Sequence, residues 1–198
     1  MTPYEIIGSP FTLWLAPVGT AFPLINAAPA VAWSKIGTNG TRNQSEEGVK
    51  VSHSQSLNFA RPAGATGPVK AFLDSEDFKV MMTMWDMSLE QYALALNGNA
   101  VSTTAAASGT AGFKKLGLSR KILIKEYALL VRGPSAYDEA FNAQFEVPRV
   151  VHTGNPEPVF RKGVPAALAM EFTGLEDLAA TDDELRFGVL RMQHQAPL

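Results

Sequence analysis

The sequence predicts a mostly β fold: an antiparallel β-sandwich or barrel with one helical segment and a long β-hairpin. Short runs that alternate apolar and polar residues recur along the chain, and Pro and Gly separate them. One run, "GVKVSHSQSLNFA" at residues 48–60, alternates without a break. Ordinary strands have about 5 or 6 residues. This segment is therefore expected to leave the globule as one arm of a ribbon, or to cross a large sheet.

Composition limits the function classes. The 198 residues suffice for one domain, which we assign to 1–198, and 46% of them are hydrophobic. Without cysteine there can be no disulfides or thiolate sites, and a net charge of −2 with mixed signs argues against a tight grip on nucleic acid. No apolar run approaches the roughly 20 residues of a membrane span. The N-terminal stretch does not resemble a signal peptide, so we expect synthesis and assembly in a cytoplasm.

The elements are expected in the following order. "FTLWLAPV" at 11–18 predicts a first strand, and residues 20–47 predict an extended loop. The ribbon occupies 48–73, with a turn at 61–68 and an apolar return, "VKAFL", at 69–73. Four further strands are predicted at 121–133, 143–154, 166–177 and 184–192, and Pro148 indicates an edge position or a bulge.

A helical segment is predicted over residues 75–97. Asp74 or Ser75 is expected to cap a first helix, and Ser88, with Gln91 three residues later, a second one that stops at Asn97. The helical spacing that supports the first helix is that of Phe78, Met81, Met82 and Trp85. Residues 97–119 are small and polar, which predicts a flexible loop.

No motif for catalysis stands out. "GTAGFKKLG" at 109–117 lacks the spacing of a phosphate loop, and no serine lies in a nucleophile elbow. The histidines lie far apart in the sequence. We therefore expect a protein that is not an enzyme, with no catalytic residues, no cofactor and no metal.

The ribbon is expected to have two different faces. If ribbons of several subunits pair edge to edge, they close into a ring with no exposed edges. The lumen-facing residues would be Lys50, Ser52, Ser54, Ser56 and Asn58, and the subunit-packing residues would be Val49, Val51, Leu57 and Phe59. A short, nearly uncharged serine row suits a channel through which cargo slides. An ordinary strand with one face in solvent explains the pattern equally well.

Several segments resemble the major tail tube proteins of long non-contractile-tailed, siphovirus-like bacteriophages. These segments are "LWLAPVGTAFP", "WSKIGTNG", "EEGVKVSHSQS", "GPVKAFLDSEDFKV", "YALALNG" and "KGVPAALAMEFTGLED". The resemblance implies a virion protein that forms rings of six, stacked into a hollow tube with other tail proteins, through which viral DNA leaves the capsid without tight binding.

The resemblance also implies places for particular segments. The helix at 75–96 would pack outside the ribbon, and the loops at 20–47 and 97–119 would order in ring-to-ring contacts. Lumens of the family tend to be acidic, whereas the predicted row contains Lys50 and no carboxylate.

Two alternatives remain open. One is a virion protein of the same fold that forms a single ring, such as a tail terminator or tube initiator. The other is a carbohydrate-binding β-sandwich, in which Trp14, Trp33 and Tyr137 would stack on sugars.

Overall fold

The computed structural model describes residues 10–134 and 141–194. The protein is mostly β, with 46% strand and 8% helix, which confirms the predicted class. The strands are β1 (Thr12–Ala16), β2 (Ser34–Lys35), β3 (Gln44–Ala60), β4 (Lys70–Met84), β5 (Val101–Thr104), β6 (Phe113–Leu116), β7 (Glu126–Pro134), β8 (Asn142–His152), β9 (Leu168–Gly174) and β10 (Val189–Met192). One α-helix, α1 (Leu89–Ala95), and two 3-10 turns, Gly40–Asn43 and Asp183–Leu185, complete the described part of the chain.

Eight strands form one antiparallel sheet in the order β2-β1-β7-β8-β9-β4-β3, with β10 also paired to β8. Residues from both ends of this order meet in one apolar core, so the sheet is strongly curved. The core draws on β1, β4, β7, β8 and β9 through side chains that include Leu13, Leu15, Val80, Met82, Leu129, Val131, Val150 and Phe172. A hydrogen bond of 2.9 Å from the Gln44 side chain to the Phe11 carbonyl joins the start of β3 to the chain just before β1.

The first predicted helix is wrong, because residues 75–84 belong to β4. Burial there alternates strictly at Phe78, Val80, Met82 and Met84, a period of two. This part of β4 is hydrogen-bonded to β3 on one side and to β9 on the other. The acidic residues before Phe78 are typical of the start of a helix, but pairing with strands distant in the sequence makes this segment a strand.

The second predicted helix is present as α1. The Ser88 hydroxyl accepts a hydrogen bond of 3.4 Å from the Gln91 amide, as the predicted cap requires. Asn97 and Gly98 follow the helix with φ of 67° and 66°, and this left-handed backbone ends it. Across the described residues, no helix has the length and hydropathy needed to span a membrane.

Residues 97–119 are not a flexible loop: they contain β5 and β6, which pair from Val101↔Leu116 to Thr104↔Phe113. The Asn99 side chain donates to the carbonyls of Gly117 and Ser119 at 2.7 and 2.8 Å. A Lys114–Glu90 ion pair of 2.5 Å ties the hairpin to α1. Backbone pairing and these anchors hold a segment whose side chains bury little, which is why composition predicted mobility.

The 20–47 loop is largely irregular, as predicted, but its first part is bound to the sheet. Buried and half-buried side chains of β7 and β8 donate hydrogen bonds to four of its backbone carbonyls. These bonds run from Arg132 to Leu24 and Ala27, from Gln144 to Pro23, and from Asn142 to Ile25. The expectation that this stretch orders only on assembly is therefore wrong for residues 23–27.

The four C-terminal strands are found as β7, β8, β9 and β10, each shorter than predicted. Pro148 lies in β8, in the middle of the sheet, so the edge alternative is wrong. Leu129 pairs with Val147 and Tyr127 with Val150, which leaves Pro148 and its neighbour opposite a single β7 residue. The alternative of a bulge is confirmed, because a bulge accommodates the missing Pro N–H.

Candidate assembly interface

The β3–β4 hairpin is the most extended feature of the described chain. β3 has 17 residues and β4 has 15, and they pair from Gln44↔Met84 to Ala60↔Lys70. The pairing of β4 with β9 ends at Lys79, opposite Ser52. Beyond that point only two strands remain, so residues 53–60 and their partners project about 25 Å as an arm, at about 3.3 Å per residue.

Two irregularities interrupt the hairpin. Between Gln44 and Val49, β3 has an insertion that includes Gly48 at φ 65°, a backbone conformation that glycine adopts without a steric penalty. Between the Ser56 and Leu57 pairs, β4 has one extra residue, Asp74. The Asp74 carboxylate accepts a hydrogen bond of 3.1 Å from the Asn58 side chain. Each irregularity locally increases the twist of the ribbon.

The predicted lumen-facing residues lie in one row on β3, as the alternation requires. Four of them are exposed and Ser52 is half-buried; the row is Lys50, Ser52, Ser54, Ser56 and Asn58. The row continues across the sheet through register partners, from Ser52 to Lys79 and on to Thr173. The Thr173 and Thr153 hydroxyls lie 2.8 Å apart. The polar face therefore extends well beyond the strand that revealed it.

Carboxylates that sequence reasoning missed lie on this same face. Asp77 is opposite Ser54, and Glu171 is opposite Met81 and forms an ion pair of 3.1 Å with Lys79. Glu126 accepts from Arg149 at 2.9 Å. The face therefore carries charges of both signs. Correct assignment of residues 75–84 as a strand would have placed Asp77 here, because cross-strand partners share a face.

The predicted subunit-packing row divides into two parts. Val49 and Val51 are half-buried and pack against the core of their own chain. Leu57 and Phe59 lie on the arm, where 37% and 49% of their surface is exposed. Their cross-strand neighbour Leu73 is 59% exposed. The part of this row available to another molecule is therefore the distal part, on the arm.

The outer edge of β3 has no strand partner among the described residues. β4 pairs with one side of β3 and the other side ends the sheet. Such an edge presents N–H and C=O groups that a strand from another molecule can pair with. Lys50 is the only charged residue between Val49 and Ala60, so charge does little to block approach.

The aromatic residues considered for sugar stacking do not form a platform. Trp33 is buried, its indole N–H donates to the Ala21 carbonyl at 3.1 Å, and its ring packs on Phe22. Trp14 is half-buried against the same small cluster. Tyr137 lies outside the described residues. The expectation of a Trp14 and Trp33 stacking surface is therefore wrong.

In the described part of the chain, no three His, Cys, Asp or Glu residues are grouped so that they could hold a metal ion. No protein-family model matches the chain, and a search of curated proteins found no significant match.

Proposed function

We propose that this chain is a structural virion protein that self-assembles into rings, stacked into the hollow tail tube through which phage DNA passes. The observation that carries the proposal is the outer edge of β3, a strand of 17 residues that has no partner on this side among the described residues and whose end, residues 53–60, extends beyond the sheet as an arm. The rings of six and the other tail proteins as partners follow from the sequence resemblance.

The edge supports self-assembly on energetic grounds. An isolated two-stranded ribbon is marginally stable in water, and neighbouring strands stabilise it. Pairing the β3 edge of one subunit with a strand of the next satisfies backbone groups that otherwise face solvent. Repetition of this contact around a symmetry axis closes a ring and leaves no free edge.

The two faces of the arm support a lumen on the polar side. Leu57, Phe59 and Leu73 gain from burial against another subunit, whereas the hydroxyl row remains hydrated. Tight binding of DNA needs several Lys or Arg residues on phosphates. On the polar face, Lys79 is paired with Glu171 and Arg149 with Glu126, so these cations are already neutralised and DNA can slide.

Electron microscopy of the purified, concentrated protein is the first test. We expect hollow rods or stacked rings of constant diameter. Single rings that never stack would favour the tail terminator or tube initiator. Particles that remain monomeric at every concentration would contradict assembly through the free edge.

Proline substitutions test the role of the edge itself. Successive residues of a strand direct their N–H groups to opposite sides, so Ser54→Pro and Gln55→Pro remove one amide facing β4 and one facing the free edge. The variant that loses the outer amide should keep the melting temperature of the parent and lose assembly. If both variants assemble like the parent, the β3 edge is not the contact.

A bulky residue tests the lumen. Ser54→Trp places an indole in the polar row and should impair assembly or DNA passage. Glu157→Trp, at an exposed site outside the ribbon and both loops, is the matched control and should assemble normally. Normal tubes and full DNA ejection with Ser54→Trp would contradict a position in the lumen.

A further inference from the structure

An acidic-aromatic groove lies beside the base of the arm, on the face opposite the polar row. Its volume is about 330 Å³, at the small end of binding pockets. Phe78, Phe145 and Phe187 form its apolar floor, and Glu76, Asp183 and Glu184 stand on its rim. The groove thus offers apolar contact and negative charge together.

The rim carboxylates differ in what they already bind. Asp183 forms an ion pair of 2.7 Å with Arg186. Glu76 and Glu184 have no hydrogen bond or ion pair with any described residue. Both are exposed at the mouth of the groove. Two unpaired negative charges beside an apolar floor favour a ligand that joins a cation to an apolar group.

The end of the arm has the complementary chemistry. The arm tip, residues 57–73, contains Arg61 and Lys70 and no carboxylate. The Arg61 guanidinium lies over the Phe59 ring, 5.9 Å from its centre, on the apolar side that also carries Leu57. Phe59 is 49% exposed. A cation is thus held beside an aromatic ring, and nothing in the described chain covers either of them.

An arm tip cannot reach the groove of its own chain. Glu76 pairs with Gln55, and Arg61 lies six residues further along nearly continuous extended chain. At about 3.3 Å per residue, this separates Arg61 from the groove by about 20 Å. Because the hairpin is paired along its length, the tip cannot fold back. The occupant must come from another molecule.

We propose that the Arg61–Phe59 pair of one copy docks in the acidic-aromatic groove of a second copy. The guanidinium lies between Glu76 and Glu184, and the Phe59 ring packs against Phe187. This contact deepens the proposed self-assembly and rests on it: it adds a side-chain contact of defined register to the pairing of the β3 edge. Charge complementarity of this kind sets partner and register.

Disulfide trapping tests the contact directly, because the chain has no cysteine of its own. Ala63→Cys at the arm tip and Asp183→Cys at the groove are purified separately, mixed and oxidised. The groove variant spares Glu76 and Glu184. We expect Ala63→Cys and Asp183→Cys to form a disulfide-linked heterodimer. Over the same time, Ala63→Cys mixed with Glu157→Cys, an exposed site away from the groove, should give less than a tenth as much heterodimer.

Charge reversal with a matched control measures the contribution of Arg61. Arg61→Glu should lower the association constant, measured by sedimentation, about 10- to 100-fold, because a repelled charge raises dissociation. Lys70→Glu makes the same change of charge on the other face, where Lys70 lies 5.2 Å from the centre of the Phe72 ring, and should change association less than about threefold.

A mixing experiment separates this contact from general electrostatics. Arg61→Glu and the double variant Glu76→Lys with Glu184→Lys should each associate poorly alone. Mixed, they should associate with each other, because the reversed tip matches the reversed groove.

The outcomes distinguish this contact from the tube. Rods that form normally with Arg61→Glu overturn the tip–groove contact and leave the tube proposal intact. Association that is lost with Arg61→Glu and regained in the mixture, without rods, supports the contact and overturns the tube. A parent chain that stays monomeric overturns both.

Discussion

Arg132 and Gln144 are paired inside the sheet, where the guanidinium Nε donates a hydrogen bond of 2.7 Å to the Gln144 side-chain oxygen. Only 7% of Arg132 and none of Gln144 is exposed. Gln144 also donates to the Glu146 carboxylate, which Arg191 reaches at 3.0 Å. Burial lowers the pKa of Arg132, and the charge of Glu146 partly offsets that effect. The pair joins the sheet to the loop that crosses it.

Arg132→Met should therefore cost more than an ordinary surface change. Removing a donor that leaves buried acceptors unsatisfied typically costs about 1 to 3 kcal/mol, and here the Gln144 side-chain oxygen and the Leu24 and Ala27 carbonyls lose theirs. Denaturant unfolding should show this loss. Hydrogen exchange should quicken at residues 23–27, since their carbonyls lose donors. Arg42→Met, at an exposed site, is the control; a loss under 1 kcal/mol for Arg132→Met would contradict the prediction.

His152 should make stability depend on pH. Its ring meets Phe172 edge-on at 5.4 Å, and its Nε2 is buried without a partner. The pKa of His152 is lowered to about 4, chiefly by burial and to a smaller extent by the charge of Arg120, and the charge of Glu171 partly opposes both. The folded state thus favours neutral imidazole, whereas the unfolded chain binds a proton near its ordinary pKa of about 6.5.

The stabilisation is therefore complete above pH 6.5 and is lost as pH falls toward 4. The loss amounts to roughly 2 to 3 kcal/mol. Urea unfolding between pH 7.5 and 4.5 should show a steeper decline for the parent than for His152→Phe. Comparison of the two proteins at pH 7.5 gives the packing cost of the substitution. Equal slopes would contradict the prediction.

Asp86 should hold α1 to the loop before β3. Its carboxylate accepts from the Thr38 amide at 2.8 Å, the Thr38 hydroxyl at 2.6 Å and the Ser88 amide at 3.1 Å. Partial burial raises the pKa of Asp86, but hydrogen bonds from Thr38 and Ser88 outweigh it, and the net pKa is lowered. The stabilisation is present above the ordinary pKa and is lost as pH falls below about 4.

Asp86→Ala should lower the free energy of unfolding by about 1 to 3 kcal/mol at pH 7, the usual range for hydrogen bonds to a charged group. The difference between this variant and the parent should shrink at pH 3. Asp77→Ala removes an exposed carboxylate with no hydrogen-bond partner among the described residues and serves as the control. A larger effect from the control would argue against the role of Asp86.

Gly48→Ala should destabilise the base of the arm through the backbone alone. Gly48 has φ 65°, and a Cβ added there meets nothing within 4 Å. The left-handed conformation costs an alanine about 1 to 2 kcal/mol. Gly64→Ala is the matched control: it too meets nothing within 4 Å but needs no positive φ. Thermal melts should show a loss for Gly48→Ala and no loss for Gly64→Ala.

The sequence predicted the elements whose structure is determined by residues close together along the chain. β1 and β3 show a period of two, and α1 has its own cap at Ser88 and stop at Asn97. β4 was missed because Phe78, Met81 and Met82 fit a helical spacing, whereas Phe78, Val80, Met82 and Met84 fit the extended one that the structure adopts. Only the pairing of β4 with β3 and β9, distant along the chain, decides between them.

Only part of the candidate interface was predicted, because the rest depends on pairing between strands that are distant in the sequence. Alternation along β3 identifies its two faces, since it needs no knowledge of neighbours. The contributions of Asp77 and Glu171 depend on strand register, which one sequence does not reveal. The buried network of Arg132 and Gln144 was missed because the sequence does not show which groups a single polar residue in a strand will hydrogen-bond.

The extra residue at Asp74 makes the arm a lever. It separates the paired base of the hairpin from the tip at a point of raised twist, and beyond it lie four residue pairs, or about 13 Å of strand. A change of about 10° at Asp74 moves the tip by about 2 Å over this length. Small adjustments at Asp74 are thereby magnified at the tip, so in the proposed assembly curvature could be absorbed at this single position.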